Sequence, residues 1–157
     1  MAERDYSHRD VVDKLGIKPG FAVAFEATPL AIDADLKTRA LDRAGRAPAD
    51  DGEPVDVVLV GADASTEVES VLSRWRQRID PAGGIWLLTP KRGQPGYVDQ
   101  RELILAGPAA GVVDNKTCSV SDTLSGIRFV IRKIDRVYCR SPSIGLRRAL
   151  VAVGPFV

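Results

Sequence analysis

Val55-Asp-Val-Val-Leu-Val60 is a nearly all-apolar run, and Gly61-Ala-Asp-Ala-Ser-Thr66 turns the chain out of it. A helical stretch follows to about Arg78, Asp80-Pro-Ala-Gly-Gly84 turns the chain again, and Ile85-Trp-Leu-Leu88 is a second apolar run. Strands buried on both faces read as continuous apolar runs, whereas half-exposed strands alternate, so both runs belong inside a parallel sheet. Parallel neighbours need a long crossover, which the intervening helix supplies, and the expected connection is right-handed. Within that helix Val68, Val71, Leu72, Trp75 and Ile79 recur at helical spacing. Thr66-Glu-Val-Glu69 has the form of a capping box, and Arg74, Arg76 and Arg78 fall where cations complement the helix dipole, on a face expected to be solvated.

The flanks extend this unit. Ser7 can cap a short helix over 8–15, with Val11, Val12 and Leu15 on one face and Gly16 closing it. Lys18-Pro-Gly20 is a turn, and Phe21-Ala-Val-Ala-Phe25 reads as the first strand, closed by Glu26. Residues 33–44 form a helix opened by Asp33 or Asp35 and stopped by Gly45, with Leu36, Ala40 and Leu41 inward and Lys37, Arg39 and Arg43 outward. Residues 46–54 are loop by composition. After Leu88 come a loop to Tyr97, a weaker helix over 99–110, a strand over 111–120, a turn over 121–126 and an alternating strand over 127–133. The expected fold class is α/β: one three-layer Rossmann-like domain with a mostly parallel sheet of about five strands and an antiparallel C-terminal edge hairpin. That domain spans 1–134. Residues 135–157, where Arg136, Arg140, Arg147 and Arg148 are interleaved with Pro142, Gly145, Gly154 and Pro155, form a basic C-terminal tail.

Totals narrow the function classes. The chain of 157 residues is 45% apolar and 27% charged, the balance of a globular protein with a real core. A formal charge of +1 gives no pull toward nucleic acid or lipid. The first ten residues lack an apolar signal core, and no run approaches the ~18 apolar residues that span a bilayer, so a cytoplasmic location is expected. Cys118 and Cys139 are the two cysteines and His8 the one histidine, with no C-x-x-C spacing. No zinc site follows from that set, and Cys118 reads as a reduced, buried thiol.

Cofactor chemistry turns on the loop after the first strand. Dinucleotide and adenosine sites in α/β domains use a glycine-rich loop there, so that backbone amides can approach the ligand closely. Here the loop is Glu26-Ala-Thr-Pro-Leu-Ala-Ile-Asp33, with no glycine, and Pro29 removes one amide donor. No cofactor is therefore expected. Ligands of open parallel sheets gather beyond the carboxyl ends of the strands. Glu26, Asp63, Lys91 and Arg92 fall near such ends, and Lys116 and Asp122 join them if the hairpin lies alongside. Acids there would suit ribose hydroxyls and lysines an anion. Polar residues also collect in wet loops for no functional reason, and Asp63 has its own explanation as a turn residue.

The order of elements resembles the latter part of class I S-adenosylmethionine-dependent methyltransferases. Asp56-Val-Val and Asp80-Pro-Ala-Gly-Gly-Ile-Trp-Leu-Leu occupy the places of the strand and turn in that fold, and the closing hairpin matches too. More closely, the chain is similar to a family of short bacterial Rossmann-like proteins of unknown function. That resemblance runs over 6–133, through Tyr6-Ser7, Leu15-Gly-Ile-Lys-Pro-Gly20, Gly84-Ile-Trp-Leu, Pro90-Lys91, Val113-Asp-Asn-Lys116 and Ser125-Gly-Ile-Arg-Phe-Val-Ile-Arg-Lys133. The family resemblance implies a fold and no activity; the methyltransferase resemblance implies S-adenosylmethionine as the cofactor. Three readings of function follow. One is a non-catalytic module that binds a protein partner or a second copy of itself, or regulates. The alternative is a small-molecule or nucleotide binder, in its sharpest form a methyltransferase with a degenerate cofactor loop. The third, nucleic-acid binding through the tail with Arg128 and Arg132, is opposed by the net charge.

Overall fold

The inner strands carry apolar side chains to both of their faces, and helices cover both sides of the resulting sheet in a computed structural model that describes residues 11–28, 30 and 32–135. The elements are α1 (Val11–Lys14), β1 (Val23–Thr28), α2 (Ala34–Ala44), β2 (Val55–Ala62), α3 (Val68–Arg76), β3 (Ile79–Pro90), α4 (Gln100–Ala110), β4 (Val113–Ser119) and β5 (Leu124–Val130). The sheet order is β1-β2-β3-β5-β4. β1, β2 and β3 are parallel, and β5 runs antiparallel to both β3 and β4, so the hairpin forms one edge. The α/β class and the mixed five-stranded sheet expected from the sequence are both present.

Alternation along the strands sorts the core into two halves. On one face Val58, Val60, Ile85, Leu87, Ile127 and Phe129 pack under Val71, Leu72 and Trp75 of α3 and Leu103 and Ala110 of α4. On the other, Val57, Leu59, Trp86 and Leu88 pack under α1 and under Leu36, Ala40 and Ala44 of α2. α2 is framed as the sequence reads: the Asp33 carboxylate accepts from the Leu36 amide, and Gly45 ends it in the left-handed region at φ 71°. Leu41, expected inward, is only half-buried, and Ala44 takes that place in the core. Asp56, the one charge within β2, accepts from the Ala22 amide at 2.8 Å and so ties the start of β1 to the sheet.

Several local expectations are corrected. The capping box does not form. The Thr66 hydroxyl instead accepts from the Asp63 amide at 3.0 Å, and α3 starts without a side-chain cap. Asp80–Gly84 is not a separate turn but belongs to β3. Val55 pairs with Ile79 and Val57 with Gly84, so the extra residues bulge out of register and the strand resumes. The strands are displaced by a few residues, and Glu26 lies within β1 rather than after it. The arginines at the end of α3 and just beyond it are not merely solvated. Arg74 pairs with Glu26, Arg76 donates to the Gly111 carbonyl at 2.9 Å, and the Arg78 guanidinium lies 4.8 Å from the Trp75 ring centre. The two parallel connections both step the same way across the sheet, yet α2 and α3 lie on opposite faces. They are therefore of opposite hand, and one departs from the right-handed rule. Ser7, His8, Cys139 and the basic tail beyond Asp135 lie outside the described residues.

Candidate functional site

At the carboxyl end of β1 the Glu26 carboxylate is held by α3. Arg74 donates to both oxygens, at 3.2 and 2.9 Å, and the Trp75 indole N–H donates to one of them. Partial burial pushes this carboxyl up, and the hydrogen bonds from Arg74 and Trp75 outweigh it, so its pKa lies below the ordinary glutamate range. A bidentate arginine and an indole leave little of the carboxylate for a ribose. Next to it, the backbone of Leu30 crosses the end of β2 so closely that a Cβ on Gly61 would stand 2.1 Å from the Leu30 oxygen. The Leu30 backbone thus lies over Gly61, the partner of Ala27 in β1, where an adenosine cradle would be looked for.

Asp63 follows β2 and serves its own turn. Its carboxylate accepts from the Ser65 amide at 2.8 Å and the Ser65 hydroxyl at 2.7 Å, and these hydrogen bonds hold its pKa below the ordinary aspartate range. The adjacent Ala64 amide donates to the Gly96 carbonyl at 2.9 Å, joining this turn to the loop after β3.

An open concavity lies farther along, at the carboxyl end of β3. It is a groove of about 440 Å³, between the upper half of β3, β5 and β4 and the start of α4. That is the size of a small-molecule site. Register builds its floor. Thr89 of β3 sits opposite Ser125 of β5, which sits opposite Ser119 of β4, giving a row of three hydroxyl residues across three strands. One step down, Leu87, Ile127 and Thr117 form the next row. Gln100 and Leu103 of α4 and Tyr97 form the wall, and Lys91 and Arg92 stand at the lip. The Lys91 ammonium donates to the Ser119 hydroxyl at 2.8 Å, and the Arg92 guanidinium lies 5.7 Å from the Tyr97 ring centre.

Of the residues singled out in sequence, Lys91 and Arg92 line this groove. Glu26 and Asp63 lie at the ends of β1 and β2, committed as described. Lys116 pairs in register with Arg128 across from Trp86, and strand alternation puts it on the opposite face from Thr117 and Ser119. Asp122 is exposed in the hairpin turn, beside Thr123, whose carbonyl accepts from the Lys91 amide at 2.8 Å. Sequence reasoning missed Thr89, Ser119 and Ser125. The available signal was a lone threonine ending an apolar strand; the cross-strand row needed the register. Cys118 is half-buried, and that burial pushes its thiol up against the lowering influence of Lys14 and Lys116. Among the described residues no three metal-ligating side chains cluster, and no helix is long and apolar enough to cross a membrane.

Solved structures of methyltransferases share this fold. A chain in the complex of the Haloferax volcanii Trm112 methyltransferase activator with a candidate methyltransferase superposes at a TM-score of 0.55 and 12% identity, over 84% of this chain and 92% of that one. The TehB-like S-adenosylmethionine-dependent methyltransferase of Corynebacterium glutamicum gives 0.51 and 7%, over 78% and 86%. At such identities the likeness is one of fold. Among curated sequences, the uncharacterized proteins Rv2239c of Mycobacterium tuberculosis and Mb2263c of Mycobacterium bovis are each 32% identical over 74 residues, 46% of this chain and 47% of theirs. The match thus spans about half the length of these relatives. Residues 12–133 match a family described as "Protein of unknown function (DUF3052)".

Proposed function

The chain belongs to the DUF3052 family of unknown function, and from that premise we propose that it is a Rossmann-like binding module that does not itself transfer a methyl group. The observation that carries this reading is the closure at the end of β1. Glu26 is bound by Arg74 and Trp75, and the Leu30 backbone lies on Gly61, in a loop without glycine. A methyltransferase needs that end open and supplied with amide donors. The module would act on a protein partner or a second copy of itself, and exposed Leu105 on the outer face of α4 supports such contact. Residues 1–134 would be the binding body, and 135–157 a basic appendage to it. A cytoplasmic setting is part of the same reading.

A second reading is kept by the fold. Structures that resemble this one include a protein described as S-adenosylmethionine-dependent, so S-adenosylmethionine is the cofactor to test first. One titration separates the two. Any ligand that binds the folded chain well above its Kd raises the melting temperature. The binding-module reading expects no shift with S-adenosylmethionine or S-adenosylhomocysteine at about 1 mM, a concentration that nearly fills a micromolar site. A saturable shift, with methyl transfer to any acceptor, would establish the methyltransferase reading in its place.

A further inference from the structure

The groove at the end of β3 has a composition that selects its occupant. Its lining contains two cations, Lys91 and Arg92, and no carboxylate. Among the lining residues a cation finds no counter-charge and a sugar no acid; the Asp99 carboxylate, outside the lining, interacts with Arg101 and Arg92. Thr89, Ser125 and Ser119 stand opposite one another across the floor, with Cα atoms about 5 Å apart from strand to strand. Thr89 is the most telling of them. It is 4% exposed, and its hydroxyl has no hydrogen-bond partner among the described residues. Alternation from Ile85 and Leu87 turns it toward the groove and α4. Buried hydroxyls are almost always partnered, and one that is not marks a place for something that completes it.

We propose that this groove binds the phosphate group of a small molecule. A carboxylate offers two oxygens in one plane. A phosphoryl group offers three diverging ones, which suits hydroxyls rising from the floor and cations reaching from the lip. The positive charge comes from Lys91 and Arg92 and not from the start of α4, since the Asp99 carboxylate already accepts from the Arg101 amide there. On binding, the Lys91 ammonium turns from the Ser119 hydroxyl to the phosphate, the Ser119 hydroxyl redirects its proton from the Ser121 carbonyl, 3.4 Å away, to a phosphate oxygen, and the Thr89 hydroxyl gains its missing partner. The apolar side of the groove, Leu103, Ile127 and Tyr97, is left to hold the rest of the molecule. This site is separate from the end of β1, so it stands whether or not S-adenosylmethionine binds there.

The test is an amide NMR titration of the full chain with inorganic phosphate up to about 50 mM, which nearly fills a millimolar site, against sodium chloride at equal ionic strength. A parallel titration with phenyl phosphate tells a free ion from the phosphate end of a larger molecule. Saturable shifts are expected at 89–92, 117–119 and 125–127. Lys91→Ala should weaken binding about tenfold, the loss of one charge-assisted hydrogen bond. Thr89→Val, which keeps the shape and removes the hydroxyl, should weaken it as well, and Lys116→Ala, on the opposite face, should leave it unchanged. No saturable shift with either phosphate, shifts centred elsewhere, or equal affinity in the wild type, Lys91→Ala and Thr89→Val would overturn the proposal.

Discussion

The indole N–H of Trp86, at the centre of the sheet, donates to the carbonyl of Leu15, 3.0 Å away and 71 residues earlier in the chain. Trp86 is wholly buried, and Leu15 closes the short α1 segment, so this hydrogen bond fastens the start of the body to its middle strand. Trp86→Phe removes the donor, strands a buried carbonyl and leaves a small void. The expected loss is about 2–4 kcal/mol of unfolding free energy, read from urea melts. A change within experimental error would mean that the Leu15 carbonyl finds water.

The Glu26 carboxylate makes part of the stability depend on pH. Its folded pKa lies below that of an unfolded glutamate, about 4.3. The contribution is therefore complete above the unfolded value and is lost as pH falls through the folded one. Glu26 is 20% exposed and Arg74 largely so, and solvent screening keeps the effect small. Glu26→Gln should be less stable than wild type at pH 7, and the gap should narrow below about pH 4. A gap that stays constant through that range would detach the carboxylate from the effect.

Thr89→Val should raise the melting temperature of the unliganded protein. The substitution keeps the β-branched shape in a strand and removes a buried hydroxyl that lacks a partner. Burying such a hydroxyl costs about 1–3 kcal/mol, so its removal should recover a fraction of that. Destabilisation would show that the hydroxyl is already satisfied.

Gly61→Ala tests the contact between Leu30 and the end of β2. The added methyl would stand 2.1 Å from the Leu30 oxygen, and that oxygen is backbone, so the segment after β1 must lift away. A loss of about 1–3 kcal/mol is expected, with amide shifts at 26–33. A silent substitution would mean that the Leu30 segment yields freely.

Most of the fold was legible because apolar periodicity is a local signal. Val68, Val71, Leu72 and Trp75 mark α3 whatever surrounds them, and the runs at Val55 and Ile85 could belong only to buried strands. Cap choice was less legible. Thr66 had two ways to spend its hydroxyl, on the α3 amides or on the Asp63 amide, and the second won because Asp63 and Ser65 already close a turn there. The candidate site was readable where it depends on strand ends, hence Lys91 and Arg92. It was unreadable where it depends on register: Thr89, Ser125 and Ser119 are separated by loops whose length says nothing about which residue faces which. Glu26 shows the reverse limit. Its type suggests a ligand, and only the position of Arg74, 48 residues on, reveals that its charge is already balanced.

Helices α2 and α3 lie on opposite sides although both connections advance the same way, and this dictates an order of assembly. β2, α3 and β3 are neighbours in sequence and can close on one another quickly, as an ordinary βαβ unit. β1 cannot join by repeating that winding; it must arrive with α2 on the far side, after a longer loop has closed. Until it does, the outer flank of β2 carries a bare row of amides and carbonyls beside some of the most apolar side chains in the molecule. Refolding at high concentration should lose material to self-association in that interval, and dilution should restore the yield.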